Sequence, residues 1–208
     1  MEKLNFNDCT LYISARSPFA RRVKLALLEN KITFEQKILN VFEPQPELTS
    51  LNPLSRVPVV KLKDGQVLID SNLILQEFYL SHESSLLPRA TSQRVVCSQW
   101  MGIASGVCEK MVEYFLENQR PESSRDAETI KEIRQIFERT ANTLETILAQ
   151  RDNIVPGQLT QADLDMGAAL AYTSLRYSKD WQVQFPNVFR YFQKLNARPS
   201  FQSTLPPE

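Results

Sequence analysis

The residues with the best chances of doing chemistry fall at three starts of elements, not in a cluster of metal ligands. Ser17 stands directly before Pro18 and a helical stretch, with Arg16, Arg21 and Arg22 close by in sequence. A hydroxyl beside a helix N-terminus can hydrogen-bond an anion, and the helix end adds positive potential. Serine is also among the best helix caps, and the local sequence alone supports the cap better. Ser14 is a second hydroxyl in the same turn. Asp70-Ser71 opens another helical stretch, where a hydroxyl at the N-terminus can receive a carboxylate or simply cap. Val57-Pro58 opens a strand; taken alone it reads as an ordinary proline at a strand start. Two adjacent arginines cannot share a helix face, so at least one of Arg21 and Arg22 is expected in solvent.

Other reactive types carry less. Cys9 lies inside a strand and is expected to be buried and inert. Cys97 and Cys108 are eleven positions apart on one helical face and read as packing residues. His82 falls near a helix end, where a cation is favourable. With one histidine and no CxxC, a metal site would have to be built from carboxylates, so none is assigned.

The elements that must position these residues change character along the chain. Before about residue 83, strands and helices alternate. Strand patterns cover 9–13, 33–39, 57–62 and 67–69. Helical patterns cover 19–30 and 71–82, and 40–52 holds a short helix at best. Asp64-Gly65 marks a hairpin turn. The order is βαβ, then a hairpin, then a helix, which predicts a small mixed sheet with helices on its faces. Beyond 84–90 no strand pattern follows. A long helix covers 92–116 and breaks at Arg120-Pro121-Glu122. Ile130, Ile133, Phe137, Ala141, Leu144 and Leu148 then recur at three and four. Thr160-Gln161-Ala162-Asp163 reads as a capping box with Leu159 and Leu164 as its staple, and a last helix covers 186–197. The expected organisation is therefore an α/β domain over 1–83, a linker over 84–90 and an all-helical domain over 91–208.

Composition narrows the function. The chain has 208 residues and equal numbers of basic and acidic residues, 24 of each. No basic surplus points to nucleic acid, and zero net charge is compatible with self-association. The start has no signal-peptide h-region, and no apolar run nears the roughly 18–20 residues of a membrane span. The three cysteines read as reduced thiols in a cytoplasmic protein.

Three patterns stand in order: Ser17-Pro18-Phe19-Ala20-Arg21-Arg22-Val23-Lys24-Leu25-Ala26-Leu27, Leu51-Asn52-Pro53-Leu54-Ser55-Arg56-Val57-Pro58-Val59 and Ile69-Asp70-Ser71-Asn72-Leu73-Ile74. With Thr160-Gln161-Ala162-Asp163-Leu164 and Arg198-Pro199-Ser200-Phe201 behind them, the chain resembles the cytosolic glutathione S-transferase family over nearly its whole length, with its nearest likeness in bacterial, serine-type members. The resemblance implies a thioredoxin-like N-terminal domain followed by a helical domain, with glutathione as co-substrate and a small hydrophobic electrophile as second substrate. It also implies a detoxifying transferase working as a homodimer, made from the long helix and the sheet edge. It makes Ser17 the catalytic hydroxyl and Val57-Pro58 a cis-proline turn whose Val57 main chain pairs with the cysteinyl part of glutathione. Ser71 would hold the γ-glutamyl carboxylate and Asp70 the amino group; the family more often has Glu at the latter position. Trp100, Ala104, Val107, Met111 and Tyr114 are candidates for the wall of a second-substrate pocket between the domains. The alternative is a non-catalytic binding or regulatory protein on the same fold, of the stringent-starvation type. A cysteine-type oxidoreductase ranks last, because the first turn holds Ser14, Ala15, Arg16 and Ser17.

Overall fold

A computed structural model describes residues 3–207. They divide into two compact units. One comprises the chain up to Ser84 together with the segment from Ser200 onward, and the other comprises Ser85–Pro199.

The first unit is built as β1 (Cys9–Ile13), α1 (Pro18–Glu29), β2 (Phe34–Ile38), α2 (Pro46–Leu51), β3 (Val59–Lys61), β4 (Val67–Ile69) and α3 (Ser71–Ser81). The sheet order is β2-β1-β3-β4. β1 and β2 are parallel, as a crossover through α1 requires; β3 and β4 are both antiparallel to their inner neighbours. Alternation divides the side chains between two faces. Leu11, Val60 and Leu68 lie opposite one another in register and are buried. On the other face Tyr12 and Val59 pack with Leu48 of α2, flanked by Leu39, Val57 and Ile69. The hairpin turns at Gly65, whose φ of +93° suits a residue without a Cβ, and Asp64 Oδ1 accepts the Gln66 N–H at 2.9 Å.

Helix α1 departs from expectation. Eight of its twelve residues are buried, and Arg21 and Arg22 are both among them. Adjacent helical residues do point about 100° apart, but α1 is covered on more than one side. Arg21 meets the segment after Ser200: its Nε donates to Thr204 Oγ1 and an Nη to the Phe201 carbonyl, both at 3.2 Å, and the guanidinium lies 5.3 Å from the Phe201 ring centre. Arg22 turns instead to the start of α3. Ser200 Oγ donates to Glu29, at the far end of α1. This segment was expected with the helical domain; its polar partners Arg21 and Glu29 lie on α1.

The second unit contains α4 (Thr91–Gln119), a 3₁₀ turn at Glu122–Ser124, α5 (Ala127–Leu148), α6 (Gln161–Arg176), α7 (Trp181–Gln184) and α8 (Pro186–Asn196); α9 (Pro199–Gln202) leads out of it. The periodic residues of α5 from Ile133 to Leu148 are buried as the spacing predicts. At the start of α6 the Asp163 carboxylate reaches back to the Thr160 N–H at 2.7 Å and also accepts the Thr160 hydroxyl, the Ile154 N–H and the Tyr191 hydroxyl. The carboxylate thus ties the preceding loop and α8 to α6. Burial pushes the Asp163 carboxyl upward, against the pull of these four donors. The four-residue α7, anchored by buried Trp181, had no legible pattern in sequence.

Candidate functional site

The register of the sheet brings the three element starts together. Tyr12, near the end of β1, pairs with Val59, the first residue of β3, and Val59 pairs with Ile69, the last residue of β4. The turn after β1, Val57-Pro58 and Asp70-Ser71 therefore emerge side by side at one end of the sheet. Residues from separate stretches of chain become neighbours through the ladder.

Ser17 caps α1. Its backbone is extended (φ −71°, ψ 118°), Pro18 occupies the first helical position, and Oγ accepts the Ala20 N–H at 3.2 Å. Its own N–H donates to the Ser14 carbonyl at 3.0 Å, which closes the turn. A hydroxyl that accepts a capping bond still has its proton to give, so the cap and the donor roles coexist on one oxygen. Ser17 is half-buried.

The Val57-Pro58 peptide bond is cis, as the resemblance implied. Among the described residues, no main-chain hydrogen bond of Val57 closes a turn or loop here. An N–H and a C=O open at the start of a strand can receive an extended peptide as an added strand.

Asp70 caps α3 with Oδ1, which accepts the N–H groups of Asn72 at 2.8 Å and Leu73 at 3.2 Å. Its φ is +68°. A non-glycine residue held there costs about 1–3 kcal/mol, and such residues concentrate at ligand sites. Asp70 is exposed, whereas Ser71 is only 4% exposed. Ser71 Oγ accepts from Arg22 Nη1 at 3.3 Å, and the same nitrogen donates to Asn72 Oδ1 at 2.6 Å. A buried cation behind the start of α3 was not foreseen; the sequence contained only an arginine five residues after Ser17.

Other residues sort themselves by contact. Tyr12, also at the end of β1, has its hydroxyl committed to Glu47 Oε1 at 2.8 Å, and burial first, then Glu47, pushes that hydroxyl upward. Arg16 is exposed and its Nε donates to the Pro207 carbonyl at 3.1 Å. Cys9 is fully buried and its thiol is pushed up to about 11 by burial, so it holds its proton at neutral pH. Cys97 is buried and shifted the same way, and Cys108 is buried too. Trp100, Ala104, Val107, Met111 and Tyr114 are all buried; Tyr114 packs edge-on to Tyr177, 5.3 Å between ring centres. These five side chains form a buried face of α4. A groove of about 510 Å³ runs beside α2, lined by residues such as Val41, Gln45, Thr49 and Ser55, but it contains none of the three element starts. Among the described residues, no group of three or more His, Cys, Asp or Glu is placed to hold a metal ion, and no helix is long and apolar enough to cross a membrane.

A four-stranded mixed sheet of this order, with a helical unit following, defines a thioredoxin-like class of fold. Residues 11–85 match the family model of the glutathione S-transferase N-terminal domain, and residues 127–194 match that of the C-terminal domain. A glutathione S-transferase from Methylobacterium radiotolerans, solved in complex with glutathione sulfonate, superposes with a TM-score of 0.92 at 30% identity, covering 97% of this chain and 96% of that one. A second, from Methylobacillus flagellatus with glutathione bound, gives 0.89 at 30% identity, covering 96% and 100%. In sequence, maleylacetoacetate isomerase of Dictyostelium discoideum is 27% identical over 209 residues, covering 96% of this chain and 94% of its own. The chain belongs to the glutathione S-transferase family.

Proposed function

We propose that the chain is a glutathione transferase in which Ser17 activates the thiol. A free thiol has a pKa near about 8.5, so the protein must favour the thiolate. The Ser17 hydroxyl donates to the sulfur, and the N-terminus of α1 supplies positive potential. Val57 receives the cysteinyl main chain. Ser71 and the N–H groups at the start of α3 hold the γ-glutamyl carboxylate, while Asp70 meets the amino group. The thiolate then attacks an electrophilic carbon of a small hydrophobic molecule. A carbon–sulfur bond forms, and the displaced electron pair leaves with a departing group or stays on the substrate until it is protonated. An isomerisation uses the same thiolate and returns it at the end.

The observation that carries this reading is the Ser17 hydroxyl, bound as an acceptor by α1 and still able to donate, at the same sheet end as the Val57 main chain and Asp70-Ser71. The similar structures with bound glutathione or glutathione sulfonate support it, and a non-catalytic protein of the stringent-starvation type is not favoured. A homodimer, a cytoplasmic location and a detoxifying role belong to the same proposal. Calorimetry with glutathione on the wild type and on Ser71→Ala tests it. Binding that weakens with Ser71 lost supports the site, and no binding to either protein overturns it.

A further inference from the structure

We infer that Arg22 is a positioning residue that makes the start of α3 selective for the γ-glutamyl α-carboxylate, acting through the Ser71 hydroxyl; the inference rests on the glutathione reading above. Arg22 is only 1% exposed and cannot be reached by a ligand directly. Its Nη1 lies 3.3 Å from Ser71 Oγ and 2.6 Å from Asn72 Oδ1.

The chemistry follows from what each group can do. A guanidinium has donors and no acceptor, whereas a serine hydroxyl has one proton and two lone pairs. With a lone pair of Ser71 taken by Arg22, the proton of Ser71 is left to point at another acceptor. A carboxylate offers only acceptors, so it takes the proton; an amine or an amide N–H can use only the remaining lone pair, beside a cation that disfavours a second positive group. The positive charge behind the hydroxyl also polarises it and adds to the helix end in a setting with little water. Arg22 and Ser17 are on the same helix, so α1 serves both ends of one ligand. Ser17 faces the sulfur, and Arg22, five residues on, prepares the carboxylate subsite.

The test compares two ligands on three proteins. The ligands are glutathione and its analogue lacking the α-carboxylate, γ-aminobutyryl-cysteinyl-glycine. The proteins are the wild type, Arg22→Met, which keeps the packing volume, and Asn72→Leu, which frees the Nη1 anchor while leaving the cation in place. We expect Arg22→Met to raise the Kd for glutathione roughly tenfold, equivalent to about 1.4 kcal/mol, and to leave the Kd for the analogue unchanged. Asn72→Leu should move in the same direction by less, which keeps the test decisive if Arg22→Met fails to fold. Adding Arg22→Met to Ser71→Ala should cause no further loss, because the effect runs through Ser71. Equal losses for both ligands, or none, would overturn the inference while leaving the glutathione reading intact. A wild type that binds glutathione no better than the analogue overturns it too. A wild type that binds neither overturns the transferase reading itself.

Discussion

Replacing Ser17 removes two bonds that must be separated. Ser17→Ala deletes the acceptor that caps α1 at 3.2 Å from the Ala20 N–H, a loss of about 1 kcal/mol of stability. It also deletes the donor to the sulfur. A hydrogen bond to an ionised group contributes about 1.5–3 kcal/mol. At about 1.36 kcal/mol per pKa unit, the bound thiol should return upward by about 1–2 units, towards its free value. The assay is a pH titration of bound glutathione, read by the ultraviolet absorbance of the thiolate. Turnover measured below the thiol pKa should fall roughly tenfold to a hundredfold with it, since each unit is a factor of ten in thiolate. Ser17→Thr keeps both bonds and should behave like the wild type. Ser17→Asp keeps an acceptor for the cap but has no proton to give, so its helix should be intact and its bound thiol at least as high as in Ser17→Ala. An unchanged thiol pKa in Ser17→Ala would refute the reasoning, and a rise in Ser14→Ala instead would transfer the role to Ser14.

Other perturbations test the frame around the site. Asp163→Ala leaves four donors buried without their carboxylate; urea denaturation should show a loss of about 3 kcal/mol, and a loss under about 1 kcal/mol would contradict the account. Cys9 should resist alkylation in the native protein at about pH 8. Its folded thiol ionises near 11 and its ordinary value is 9.0, so the folded state retains the proton longer. Stability from this group is complete below about pH 9 and is lost as pH rises through 11, by up to about 3 kcal/mol; Cys9→Ala should flatten that decline in denaturation midpoints. Arg21→Met removes a buried cation whose bonding partners are neutral. It should change stability by less than about 1 kcal/mol and yet speed proteolysis within residues 200–207, and equal cleavage rates would show that Arg21 does not hold the segment.

What was legible in the sequence was local. The three-and-four spacing in α5, the Thr160–Asp163 pair and the Asp64-Gly65 turn depend on neighbours within a few residues, and each element formed where the pattern placed it. The cap Ser17 was legible for the same reason; at the third helix the sequence pointed to the Ser71 hydroxyl, whereas the capping side chain is Asp70. The cis bond at Val57-Pro58 followed from family resemblance, since a Val-Pro pair alone does not choose its isomer. Arg21 and Arg22 were misread because their burial is decided by partners 49 to 183 positions away, which no helical periodicity contains. The stripe from Trp100 to Tyr114 shows the converse limit: spacing predicts a buried face but not whether a ligand or a neighbouring helix covers it.

The bond from Arg21 to Thr204 spans 183 positions, and this has a consequence for synthesis. A ribosome delivers the chain from its N-terminus, so β1 to α3 emerge long before residues 200–207. Until those residues arrive, the α1 guanidinium has neither the Phe201 carbonyl nor the Thr204 hydroxyl, and the place later filled by Phe201 is open to water. The first unit is thus begun before the helical unit and completed only after it, because its two segments flank Ser85–Pro199 in the chain.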